Sequence, residues 1–274
     1  DPEARAEMGR RARRLAQERY DRDILVDRLE HVLRTTSRHQ EDDRFLHESL
    51  EWRPMVWAPA ARAAFTMGAS WLVPGARVLE IGYGSGRMAA YLAATFGVHV
   101  TGYDVHPDNA LRATANAARL GMTDRTTFRT CRPDETTSIQ GPYDAVFVKS
   151  VLYHIANPAQ YREWLAWIHR VLRPGGALIA LENGRGNGLT RFYRRRVSPR
   201  NYHDYCLIDA ARLDDFRAVF ATVEARHFGR YSQFFTGWVP AFRLITRLET
   251  ALCPPDADGH FVSAILATRA PEDR

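Results

Sequence analysis

Glu80, Gly82, Gly84 and Gly86 stand in the stretch "VLEIGYGSGR" (Val78–Arg87), the glycines on alternate positions and the acid two places ahead of the first. Glycine accepts positive φ and lets a backbone approach a ligand closely, so this stretch has the makings of a nucleotide cradle. Asp104 follows 22 positions after Gly82, and a carboxylate there can accept hydrogen bonds from ribose hydroxyls. NAD and an adenosine ligand would both suit this pairing. Two residues separate them. The dinucleotide fingerprint GxGxxG requires glycine at position 87, and the residue is Arg87. A diphosphate also needs a site free of anions, yet Glu80 lies just before the turn. An acid there suits a cationic ligand. S-adenosylmethionine (SAM) carries a sulfonium and an ammonium and no phosphate, so the residues favour it over NAD.

Methyl transfer is an in-line displacement in which a protein supplies alignment, desolvation and, for a hydroxyl acceptor, a base. His154, in "SVLYHI", is the first base to consider, since an unperturbed histidine titrates at about 6.5. The alternative is a histidine that lines the cofactor. Lys149 is either a substrate contact or a residue whose backbone alone borders the pocket. His203, in "NYHDYC", is the second catalytic candidate, and His106 is placed to flank an adenine ring. The cysteines Cys131, Cys206 and Cys253 show no metal-ligand spacing and no disulfide framework, so no metal is expected and a reducing cytoplasm is.

Positioning these groups requires a sheet. "ARVLEIG" (76–82) and "VHVTGYD" (98–104) read as short buried strands, each followed by a helix, 85–95 and 107–120. "TTFRTC", "YDAVFVKS" and "ALIALEN" continue as strands, with a helix over 158–172. Later come a helix over 210–220 and the strands "TVEARHF" and "HFVSAILATR". Strands alternating with helices of this length imply crossover connections and a doubly wound parallel α/β sheet, with ligands at the carboxyl ends of its strands.

At this point the motifs resemble those of class I SAM-dependent methyltransferases. Glu80–Gly86 looks like their motif I, Asp104 like the ribose-binding acid, "YDAVFVKSVLYHI" like the fourth-strand motif and "LRPGGALIALEN" like the fifth. The resemblance runs from about residue 74 to 269 and implies a Rossmann-like, seven-stranded methyltransferase fold. It also implies SAM as cofactor, held by Glu80, Gly82, Tyr83, Gly84, Gly86, Asp104, Val105, Arg132 and Lys149. One departure concerns the loop after the third strand, where "CRPDE" stands in place of an immediate acid and Asp134 is displaced.

Residues 1–43 read as a helical N-terminal extension and linker, and 44–274 as the methyltransferase domain. Within that domain, segments 183–209 and 229–259 read as a substrate cap, mixing glycines, arginines and aromatics. The extension resembles the closing helices of GT-B glycosyltransferases through Met8, Gly9, Ala12, Arg13 and Tyr20, which implies a fused or associated glycosyltransferase. The segment "LENGRGN…RFYRR" resembles methyltransferases of polysaccharide and glycolipid pathways.

A hydrophobic content of 45% with 26% charged residues suits one globular domain with an extension. No apolar run reaches the length of a membrane span and no signal peptide opens the chain. The net charge is +6, and Lys149 is the single lysine beside 37 arginines. The positive charge is scattered among acids, so no nucleic-acid partner is expected. The leading expectation is O-methylation of a saccharide or glycosylated metabolite. Methylation of an aromatic natural product, and a non-catalytic SAM-binding module, remain as alternatives.

Overall fold

Val78, Leu79 and Ile81 are buried almost completely, because the strand that carries them is covered on both faces. It is β1 (Arg77–Ile81), an inner strand of a seven-stranded sheet. The computed structural model describes residues 7, 43–131, 139–197, 206–253 and 256–271. Two units divide the chain, Asp1–Leu46 and His47–Arg274. The second carries the sheet, and nearly all of the extension lies outside the described residues.

After α1 (Pro54–Met67) and β1 come α2 (Arg87–Phe96), β2 (His99–Asp104), α3 (Pro107–Arg119), β3 (Thr126–Thr130) and β4 (Tyr143–Lys149). Next are α4 (Pro158–Val171), β5 (Leu172–Asn183), α5 (Gly188–Val197), α6 (Ala210–Arg217), β6 (Thr222–Phe228), α7 (Val239–Leu252) and β7 (Val262–Thr268). The sheet order is β3-β2-β1-β4-β5-β7-β6. α4 starts where the sequence directs it: Pro158 is pre-set for the first turn, and the Asn157 carboxamide accepts the Ala159 N–H at 2.9 Å.

The sheet is mixed rather than wholly parallel, which corrects the sequence expectation. β7 runs antiparallel to both β5 and β6. The physical reason lies in the connection: β6 turns back through the cap into β7, with no helix crossing to the opposite end. Consequently Val262, the first residue of β7, pairs with Asn183 and Phe228, the last residues of β5 and β6. The segments after β5 and β6 therefore leave from the carboxyl edge, where the parallel strands also end. β5 is also longer than expected, because Leu172 pairs with Tyr143 and the Pro-Gly-Gly run passes as an irregularity inside the strand.

Candidate active site

The glycine turn is built on three left-handed residues, Gly82 (φ 73°), Gly84 (φ 52°) and Gly86 (φ 72°). They serve different ends. A Cβ on Gly82 would overlap the Val151 side chain, and one on Gly86 would collide with Ala113 and Phe128. Those two glycines are packing necessities. A Cβ on Gly84 would meet nothing within 4 Å, so Gly84 faces open space, as a cradle for a ligand must. Tyr83, between them, is buried with its ring 4.9 Å from that of Phe128. Its backbone forms the turn and its side chain fixes it to β3.

Asp104, at the end of β2, organises the turn from the other side. Its Oδ2 accepts the Gly84 N–H at 2.9 Å; its Oδ1 accepts the His106 N–H at 2.9 Å and the Asn109 side-chain N–H at 3.1 Å. A carboxylate offers about four lone-pair positions. Three are engaged, which leaves one for a ribose hydroxyl; a second hydroxyl has to displace the Asn109 amide.

A cavity of about 240 Å³ opens beside this junction. Gly82, Asp104, Val105, His106, Val151 and His154 line it together with Cys131, Ile139, Trp164 and Trp167. The sequence reading missed the two tryptophans. They stand three apart on α4, a spacing that places them on one helix face, and their rings meet edge-on at 5.4 Å. That spacing was the available signal.

Glu80 and Lys149 share one face of the sheet, since Glu80 pairs with Phe147, two residues before Lys149. Glu80 is buried, and desolvation pushes its carboxyl from its ordinary 4.5 to about 8, against the opposing pull of the Lys149 ammonium. Its Oε2 has no hydrogen-bond partner. Burial lowers the Lys149 ammonium, while Glu51, Glu80 and Glu182 hold it up. Lys149 thus has a side-chain role: it lies 5.9 Å from the Trp57 ring centre and donates to the Leu50 carbonyl at 3.4 Å. Glu51 was also missed. It has φ 60°, unusual for a non-glycine residue, and accepts the Ser85 hydroxyl at 2.6 Å.

His154 ends a short 3-10 turn, Leu152–His154, directly after β4. Glu182 sets that turn: its Oε1 accepts the N–H groups of Val151 at 3.0 Å and Leu152 at 2.9 Å. Glu182 is completely buried, and desolvation raises its carboxyl to about 7. Burial also lowers the His154 imidazole below 6.5, so the ring is neutral at neutral pH. Of the remaining sequence candidates, Arg132 and His203 lie outside the described residues, as does Asp134. Among the described residues no group of three or more His, Cys, Asp or Glu is placed to hold a metal, and no helix is long and apolar enough to cross a membrane.

The strand order, the open Gly84 cradle and the acid ending β2 are those of a Rossmann-like methyltransferase fold, and the cofactor is S-adenosyl-L-methionine. Residues 78–176 match the methyltransferase domain family. An uncharacterized methyltransferase of Synechocystis is 33% identical over 109 residues, 40% of this chain and 48% of that protein. A ubiquinone biosynthesis O-methyltransferase of Caulobacter is 30% identical over 106 residues, 38% of this chain and 40% of that protein. The chain thus spans about half the length, or less, of these curated relatives. Among solved structures, phosphoethanolamine N-methyltransferase 2 of Haemonchus contortus in complex with S-adenosyl-L-methionine superimposes with a TM-score of 0.51 at 19% identity. That alignment covers 73% of this chain and 50% of the other. The family match lies wholly within the second unit, and no comparison supports the glycosyltransferase resemblance of the N-terminal extension.

Proposed function

We propose that the chain transfers the methyl group of SAM to a hydroxyl oxygen, with His154 as the base. The observation that carries this reading is the position of a neutral imidazole in the wall of the cavity that Gly82 and Asp104 also line. Asp104 would hold the ribose, Gly84 the close backbone approach and Glu80 the cationic methionine end. When bound, the cofactor supplies an electrophilic methyl carbon on a sulfonium. His154 would take the hydroxyl proton as the acceptor oxygen bonds to the methyl carbon and the carbon–sulfur bond breaks, the neutral thioether S-adenosylhomocysteine leaving. Glu182 keeps the imidazole in place by binding the first amides of its turn. Trp164 and Trp167 exclude water from the adenosine side.

A saccharide hydroxyl is the proposed acceptor. Two resemblances in the sequence support it, that of the extension to glycosyltransferase termini and that of "LENGRGN…RFYRR" to polysaccharide methyltransferases. The extension fits a chain fused to, or working with, a glycosyltransferase. An amine acceptor has support as well, since the relatives and neighbours include both O- and N-methyltransferases.

The test is methyl transfer from labelled SAM to a panel of sugars, phenols and amines. Transfer to a sugar hydroxyl, reduced about 10²–10⁴-fold in kcat by His154→Ala with SAM binding retained, is the expected result. Transfer to amines alone, or a normal kcat in His154→Ala, would defeat the reading.

A further inference from the structure

Fourteen large apolar side chains are exposed among the described residues, and ten of them fall between residues 189 and 252, in the cap. α7 carries the clearest pattern. Leu244, Leu248 and Leu252 recur every four residues and so share one face. Phe242 and Glu249, on the opposite face, are its buried residues. Arg243 and Arg247 are exposed and flank the leucines one position ahead. Leu252 is 77% exposed and Trp238, at the N-terminal end of the helix, 66%.

α5 repeats the composition. Leu189 and Phe192 are exposed, and Arg196 lies over the Phe192 ring at 5.3 Å. Arg194 turns inward instead, donating to the Gly184 carbonyl at 2.6 Å and stacking on Phe261 at 4.6 Å. The two helices are linked through the 3-10 turn Ser232–Phe235. Gln233 donates to the Thr190 hydroxyl at 2.6 Å, and the Tyr193 and Phe234 rings lie 6.1 Å apart. Neither helix has an acid on its surface. Glu249 is their single acid, and it is buried, accepting the N–H groups of Tyr231 at 2.7 Å and Ser232 at 3.0 Å.

We propose that the outer face of α7 with Trp238, continued by Leu189, Phe192 and Arg196 of α5, docks the protein on the surface of an anionic lipid bilayer. Leucine and tryptophan on one helix face flanked by arginines are the features of a helix lying in a membrane interface. The charge selects the occupant. A second copy would bring arginine against arginine, a repulsive juxtaposition. A nucleic acid would leave the leucine stripe facing water. Anionic headgroups pair with the arginines while the acyl boundary takes the leucines. The inference concerns a surface and does not depend on the methyl-transfer reading.

Co-sedimentation of the full chain with phosphatidylcholine vesicles, with and without phosphatidylglycerol, tests it. Binding is expected only with phosphatidylglycerol present, and should weaken as salt is raised. Leu244→Ser/Leu248→Ser/Leu252→Ser should lose it, and Arg243→Ala/Arg247→Ala should weaken it by about fivefold per arginine. Unchanged SAM binding and circular dichroism would verify that both variants fold, as changes on an exposed face should permit. No binding to phosphatidylglycerol vesicles, or full binding by the triple-serine variant, would overturn the proposal. So would self-association, or RNA binding without vesicle binding, that the triple-serine change abolishes.

Discussion

Gly84 donates its backbone N–H to Asp104 Oδ2 at 2.9 Å, so the turn after β1 and the end of β2 are one hydrogen-bonded unit. The same carboxylate is the proposed ribose acceptor. Loss of Asp104 would therefore remove a ligand contact and release the turn that faces it. Gly84→Val would strain a left-handed residue without filling an occupied space. Its expected result is weaker SAM binding with a modest loss of stability, readable by calorimetry and thermal melting.

Glu182 links the sheet to His154. Glu182→Ala leaves two buried N–H groups, of Val151 and Leu152, without an acceptor. Each such orphan costs about 1–3 kcal/mol, and kcat should fall because the His154 turn shifts. Glu182→Gln keeps a carbonyl oxygen for the same amides and should retain most of both. Equal thermal stability of the Ala variant and the wild type would contradict this account.

Glu80 gives SAM binding a pH dependence. Its carboxyl is raised to about 8, so it is mostly neutral at pH 7, and a cationic ligand favours the charged form. SAM affinity should rise as pH climbs toward 8 and level off above it, and Glu80→Gln should flatten that rise. For the protein alone the sign is opposite. A raised carboxyl contributes stability in full below the unfolded value of 4.5, and loses it as pH climbs through 8. Calorimetric titration across this range reads the first effect and denaturant melts the second.

His227 carries the acid-side prediction. Desolvation, with the neighbouring His260 charge, lowers its imidazole from 6.5 to about 4. Below 6.5 the unfolded chain takes up a proton that the folded chain refuses, so stability is full above 6.5 and falls progressively toward pH 4. His227→Gln, which keeps a partner for the Ser263 hydroxyl, should lessen that fall. A wild-type melting temperature constant from pH 7 to pH 4.5 would contradict it.

The turn at Gly82, Gly84 and Gly86 was legible in the sequence, because glycines on alternate places after an apolar run mark a left-handed turn, and Asp104 because it closes the next apolar run. The strands were legible for a similar local reason: buried β1 and β4 carry short apolar runs, 78–79 and 145–148, bounded by turns. The antiparallel β7 was not, since its direction depends on where the cap returns the chain. Nor were the positions of Trp164 and Trp167, which reach the cavity only because α4 packs beside the β4 turn. Nor was the part played by Glu182, since only packing buries it and binds it to two amides.

Calorimetric titration of SAM into the wild type and Asp104→Asn asks whether adenosine is held at the Gly84–Asp104 junction. Asparagine keeps one oxygen acceptor for the turn and removes the charge. A charge-assisted contact of about 1.5–3 kcal/mol predicts saturable binding by the wild type, with affinity about tenfold to a hundredfold lower in the variant. Equal affinities in the two proteins, or no binding by the wild type, would contradict the claim.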